Sequence, residues 1–244
     1  MIDVVGLGTG CLDILGIVPH IPGPDEHVRM LETVQQGGGE VGTALATLAG
    51  LGSSTAFIGR VGDDPTGRFI EEDFEARGVD TSHLSVEPGA VSPSSVILVD
   101  RDSGLRTIVA CRDTVSDVQP ADIAPGFVEQ ARYLLLDGQH RAAALEAAQR
   151  AKKSGVTVVL DADDSAFDPD IHDLMRLTDI LIPSMHFCRL LTGSDDVDEA
   201  MVALRSYGSS VVAVTLGEEG SVCHADGVTF HTPAFPVDVV DTTG

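Results

Sequence analysis

The sequence predicts an α/β fold: a mostly parallel central sheet with helices on both faces and a small β lid. Short, continuous apolar runs recur along the chain, and most are followed by a segment of helical periodicity, which is the pattern of strands buried on both faces. Two stretches interrupt that alternation, one rich in Pro and Gly and one of period two, and these predict the lid. At 244 residues the chain suits a single domain, residues 1–244, with such an appendage. Its hydrophobic content of 43% suffices for a sizeable core.

Taken in order, Ile2–Leu7 reads as a buried strand. Residues 41–51 form a helix of small side chains ending at Gly52, 55–61 a strand, and 66–77 an amphipathic helix stopped by Gly78. A short apolar strand over 132–136 ends at Asp137. The Ala-rich segment 140–154 is helical, with Lys152 and Lys153 in its last turn and Gly155 as its stop, as the helix dipole and left-handed C-terminal geometry favour. Strand 156–160 ends at Asp161, and 179–182 and 211–215 repeat the pattern. The lid is expected from about 13–36 and 91–113, the latter as a hairpin turning at Asp102-Ser103-Gly104, together an antiparallel flap over the C-terminal edge of the sheet. Ligands of open α/β sheets bind at that edge.

The formal net charge of -23 argues against nucleic acid and anionic membrane surfaces as partners. A nucleotide remains compatible, because helix N-termini and metal ions override the global field locally. The N-terminus lacks a basic segment followed by a long apolar one, and no apolar run reaches the length of a membrane span. A soluble, cytoplasmic protein is expected. Cys11, Cys111, Cys188 and Cys223 are widely spaced and read as buried free thiols.

Gly6-Leu7-Gly8-Thr9-Gly10 follows the first strand, but a dinucleotide fingerprint would need its third glycine where Cys11 stands. The phosphate-binding pattern G-x-x-x-x-G-K-[ST] does not occur. Gly37-Gly38-Gly39 precedes the helix beginning near Val41, where bare backbone admits a ligand closely and a helix N-terminus supplies donors. At the other end, Val239-Val240 runs into Asp241-Thr242-Thr243-Gly244, a turn of the kind that presents unpaired backbone N–H groups to a phosphate.

These motifs together resemble the ribokinase-like (pfkB-type) carbohydrate kinases. Gly38-Gly39-Glu40-Val41-Gly42-Thr43-Ala44 and Gly59-Arg60-Val61-Gly62-Asp63-Asp64-Pro65-Thr66-Gly67 resemble the first signature region, continued by Gly78-Val79-Asp80-Thr81. Thr215-Leu216-Gly217-Glu218-Glu219-Gly220 is similar to the nucleotide-site strand and turn. Val240-Asp241-Thr242-Thr243-Gly244 resembles the opening of the second signature. The resemblance covers nearly the whole chain, in the right order, and implies a ribokinase-like three-layer sandwich.

It also implies an ATP-dependent kinase that moves the γ-phosphoryl group to a hydroxyl of a sugar, with ATP and Mg2+ as cofactors. Asp13, Gly38, Gly39 and Thr43 match the sugar-binding positions; Thr43 stands where Asn is frequent, which changes hydroxyl recognition. Ser184, Thr215, Gly217 and Gly220 match the nucleotide side. Asp241, Thr242 and Gly244 match the start of the anion hole, and the family's catalytic base lies three positions beyond Gly244. Where the family has Asn-x-x-Glu near the metal, this chain has Ser184-Met185-His186-Phe187, so no protein metal ligand is assigned and magnesium is expected on the nucleotide's phosphates and water. Asp137 joins the substrate set as a strand-end carboxylate, with Asp161, Asp163 and Asp164 as weaker candidates; such residues are also ordinary caps and turn formers. Dimerisation through the lid is implied. A non-catalytic sugar- or nucleotide-binding member and a nucleoside kinase are the alternatives, the second disfavoured by the scarcity of aromatics, with no Trp and only Tyr133 and Tyr207 as tyrosines.

Overall fold

The computed structural model describes residues 1–163, 167, 168, 171–237, 239 and 241. Among these, strands β1 (Ile2–Leu7), β4 (Thr55–Gly62), β5 (Val79–Glu87), β8 (Ala131–Leu136), β9 (Thr157–Ala162), β10 (Ile180–Pro183), β11 (Val211–Thr215), β12 (Ser221–Ala225) and β13 (Val228–Thr232) form one nine-stranded sheet. Its order is β13-β12-β11-β10-β9-β8-β1-β4-β5. From β5 to β11 all neighbours pair in parallel, so those strands end at a common edge; β12 and β13 then turn back antiparallel.

Period two sorts the strand side chains between two cores. Val5, Leu7, Leu134, Leu136, Val158 and Leu160 point to one face, where they meet the alanines of α3 (Arg141–Ser154) and apolar residues of α4 (Ile171–Leu177), α5 (Met185–Thr192) and α6 (Val197–Arg205). Val4, Phe57 and Leu135 point to the other, under α1 (Glu40–Gly50) and α2 (Pro65–Ala76). Helix α1 sits directly on Gly6: a Cβ there would lie 2.5 Å from Val41 Cγ1 and 2.7 Å from Leu45 Cδ1. Both side chains are fully buried and have no room to yield. Gly6→Ala is therefore expected to cost about 1–3 kcal/mol and to lower the melting temperature by roughly 3–10 °C, measured by thermal unfolding.

The lid is a second sheet of order β3-β2-β6-β7, made of β2 (Cys11–Val18), β3 (Glu32–Gly38), β6 (Ser94–Asp100) and β7 (Arg106–Cys111). It is mixed rather than antiparallel, because β2 and β6 run parallel. The chain leaves the lid after β3, builds α1, β4, α2 and β5, and re-enters beside β2 in the same direction. The hairpin at Asp102-Ser103-Gly104 forms as expected: the Asp100 carboxylate accepts from the N–H groups of Asp102 and Ser103 at 3.0 and 2.8 Å, and Gly104 takes φ 69°.

The Gly-Asp-Asp-Pro-Thr-Gly motif anchors the root of the lid. Asp64 caps α2 by accepting from Gly67 N at 2.7 Å and holds both the N–H and the hydroxyl of Ser92, at 2.9 and 2.7 Å. Ser92 Oγ in turn accepts from Gly62 N at 2.8 Å. The connection into β6 is thereby pinned to the end of β4. Of the four thiols, Cys11 and Cys188 are buried as expected, but Cys111 is exposed, because β7 is an edge strand exposed along its whole length.

Candidate active site

A cleft of about 950 Å3 opens between the lid and the C-terminal edge of the main sheet. Asp13 lies in β2 of the lid and is 6% exposed. Register places it opposite Gln36 of β3 on one side and Ser95 of β6 on the other. Its Oδ1 accepts from the Cys11 thiol at 3.4 Å. Its Oδ2 faces Gly38, where a Cβ would come within 2.1 Å of it. Burial pushes the Asp13 carboxyl up; the Cys11 thiol opposes that, and the charge of Asp241 adds to it. Asp241, from the far end of the chain, thus lies within electrostatic reach of Asp13, and Val239 lies where a side chain on Gly104 at the lid turn would clash. Thr242 and Gly244 lie outside the described residues.

The diglycine segment is built for close approach. Gly38 ends β3 opposite Cys11. Gly39 is the N-cap of α1 at φ 88°, and a Cβ there would fall 2.5 Å from the carbonyl oxygen of Thr9, so glycine is required on both counts. Thr43, one turn into α1, donates its N–H to the Gly39 carbonyl at 2.8 Å, and both residues line the cleft.

Asp137 is placed differently from the expectation. Its carboxylate accepts from Thr9 N at 2.5 Å and Gln139 N at 3.0 Å, and it packs behind Gly8, whose missing side chain makes room for it. It is 2% exposed and is not on the wall of the cleft. The β1–β8 register, which pairs Leu7 with Leu136, brings the turn after β1 directly over it. Asp161 and Asp163 do line the cleft.

Glu40 was not singled out by sequence. It opens α1 immediately after the diglycine segment and lines the cleft. Burial, then the charge of Asp137, then the bond to and charge of Asp163 push its carboxyl up to about 8. Burial, helped by Asp163 and Asp137, pushes Asp161 up to about 6. An acid in the first turn of a helix, beside glycines that admit a ligand, was the available signal. Arg60 also lines the cleft but is tied to Asp122 at 2.6 Å and to Ser85 at 3.0 Å.

The nucleotide-side candidates cluster further along the same edge. Ser184 follows β10, caps α5 by accepting from Phe187 N at 3.1 Å, and forms an isolated parallel bridge with Thr215 at the end of β11. Gly217 and Gly220 shape the turn after it at φ 60° and 91°; a Cβ on Gly220 would fall 2.0 Å from the Thr232 carbonyl oxygen. From β1 to β11 is four strand spacings, or about 19 Å. The two groups of candidates therefore share one sheet edge but do not touch, and carboxylates lie between them. Phe187 is fully buried and stacks edge-on against Phe167. His186 is exposed.

Known proteins match this architecture. A sequence model of the pfkB family carbohydrate kinases matches residues 1–244. The ATP-dependent ribose-1-phosphate kinase of Halopiger xanaduensis is 29% identical over 245 residues, covering 100% of this chain and 81% of that one. A fructokinase of Klebsiella pneumoniae is 31% identical over 254 residues, covering 98% and 78%. The Arabidopsis thaliana ribokinase solved with ribose and ATP superposes with a TM-score of 0.78 at 25% identity, covering 100% of this chain and 82% of that one. With the family pattern running through both sheets and along the shared edge, the chain belongs to the pfkB family of carbohydrate kinases.

Proposed function

We propose that this kinase holds its sugar at Asp13, Gly38, Gly39 and Thr43, holds ATP along Ser184, Thr215, Gly217 and Gly220, and transfers the γ-phosphoryl group between them near Asp241, Thr242 and Gly244. The observation that carries this reading is the buried Asp13 carboxylate, which lines the cleft, packs against bare Gly38 and feels the charge of Asp241 from the far end of the chain. A buried carboxylate with oxygens to spare accepts two hydroxyl protons, which suits a vicinal diol. Phosphoryl transfer then requires alignment and charge stabilisation rather than a covalent enzyme intermediate, and the lid keeps water from competing with the sugar.

The sugar is proposed to be a pentose, a pentose phosphate or a ketohexose, in line with the relatives' named activities. Among the described residues no Phe, Tyr or Trp lines the cleft, so a nucleoside base would find only the His140 imidazole to stack on. Among the described residues no three His, Cys, Asp or Glu side chains converge on a metal position. Glu40, Asp161 and Asp163 nevertheless offer hard oxygen donors on the cleft wall, which suits magnesium that arrives with the nucleotide and keeps part of its water shell. Bound there, magnesium would neutralise phosphate charge in an otherwise acidic cleft.

Two further parts of the reading are a homodimer through the lid and a cytoplasmic location. The lid's exposed edge strand β7, with Ile108 and Val109 half exposed, supports the first. No described helix is long and apolar enough to cross a membrane.

Coupled ADP-release measurements over ribose, ribose 1-phosphate, fructose and a nucleoside test the reading. Release of ADP matched by sugar phosphate with one of the sugars is the expected result. Sugar binding without ADP release would instead identify a binding protein, and turnover of the nucleoside alone would overturn the assignment to a sugar.

A further inference from the structure

We infer that Cys11 is a positioning residue for Asp13: its thiol occupies one carboxylate oxygen and thereby sets the direction in which the rest of the carboxylate meets the acceptor. The inference rests on the proposed reading in which Asp13 receives the sugar.

Cys11 and Asp13 are two apart on β2, so their side chains share a face, and both line the cleft. The thiol lies 3.4 Å from Oδ1. Among the described residues it is the hydrogen-bond donor that meets Asp13. On the opposite strand Gly38 pairs with Cys11 and leaves bare backbone against Oδ2. The carboxylate is therefore held between a thiol and a glycine. Asp64 shows the contrast: it takes three donors, from Gly67 and Ser92, and is spent on structure. Asp13 takes one weak donor, enough to orient it while leaving most of its lone-pair capacity for hydroxyls.

The charged groups facing this pair come from two further elements. Asp241, from the C-terminal segment, acts on Asp13, and Glu40 of α1 acts on the thiol. Burial, Asp13 and Glu40 all push the thiol up, so it stays an S–H donor over the working pH range. The thiol in turn favours the ionised Asp13 against burial and Asp241.

The test combines a binding-independent titration with kinetics. The Asp13 carboxyl is followed by carbon-13 NMR in the full-length protein without ligand, for the parent chain, Cys11→Ala, Cys11→Val and Cys11→Ser. Loss of the donor in the Ala and Val variants is expected to raise the apparent pKa of Asp13, and Ser is expected to restore it. In turnover, the KM for the acceptor is expected to rise about three- to tenfold in the Ala and Val variants with the KM for ATP unchanged, and Ser is expected to rescue it. Val, which removes the donor without leaving a cavity, serves if Ala does not fold. An unchanged Asp13 titration in both donor-less variants overturns the inference. So does a rise in both KM values together with a lowered melting temperature, which would mark Cys11 as packing alone. If the titration moves but no sugar is phosphorylated, the positioning of Asp13 stands and the proposed acceptor role falls.

Discussion

Asp13→Asn is expected to lower kcat/KM for the sugar by about 10²–10⁴ while leaving nucleotide affinity intact. Two hydrogen bonds from sugar hydroxyls to a carboxylate contribute about 1.5–3 kcal/mol each, and an amide of the same shape supplies neither the charge nor two equivalent acceptors. Steady-state kinetics on the accepted sugar and calorimetry with a non-hydrolysable nucleotide separate the two quantities. Stability is expected to move the opposite way. Burial is the main cause raising the Asp13 carboxyl in the folded chain, so the folded state binds its proton more tightly than the unfolded state does. Stability contributed at this position is thus largest below the unfolded value of 3.8 and declines as pH rises through the folded value. At neutral pH the asparagine variant should melt at the same temperature as the parent or higher. A variant that keeps its kcat/KM would remove Asp13 from the site.

Glu40→Gln should stabilise the protein at alkaline pH and do little at acid pH. The glutamate moves from an ordinary value of 4.5 to about 8 on folding, with burial the leading cause. Below 4.5 both states are protonated and the substitution is close to neutral. Across the window from 4.5 to about 8 the folded chain holds a proton that the unfolded chain has released, and the glutamate loses stability at up to about 1.36 kcal/mol per pH unit. Its ceiling is about 5 kcal/mol, so the glutamine variant should melt several degrees higher at pH 8.5 and nearly together with the parent at pH 5. Thermal unfolding across that range is the measurement. A constant offset between the two proteins would show that Glu40 does not titrate in the window.

Much of the main sheet was legible because parallel strands buried on both faces read as continuous apolar runs, as in Leu134-Leu135-Leu136 and Val158-Val159-Leu160. Strand β2 was less so. Its apolar run passes without a break into the Pro/Gly-rich loop that follows, so periodicity alone does not mark Asp13 as a ladder residue. The hairpin of β12 and β13 is marked in the sequence only by its turn, Asp226-Gly227, both at positive φ. Its strands are short, and β13 is exposed throughout, so neither makes an apolar run. At the site, motif order points to the diglycine segment and Asp13. The choice among strand-end carboxylates was not available there. Asp137 and Asp161 look alike in sequence, and only the register of β1 on β8 shows that the backbone of Thr9 claims the first and leaves the second open.

Because Asp13 is carried by β2, it belongs to the roof of the cleft rather than to the main sheet beneath it. The turn Gly8-Thr9-Gly10 is the joint between β1 and that strand, and Asp137 grips it from below. Any swing of the roof about this joint shifts the carboxylate with it. On the proposed reading, the group that holds the acceptor and the sheet that roofs it are one piece, so a substitution that tilts this sheet would change sugar affinity and solvent access together.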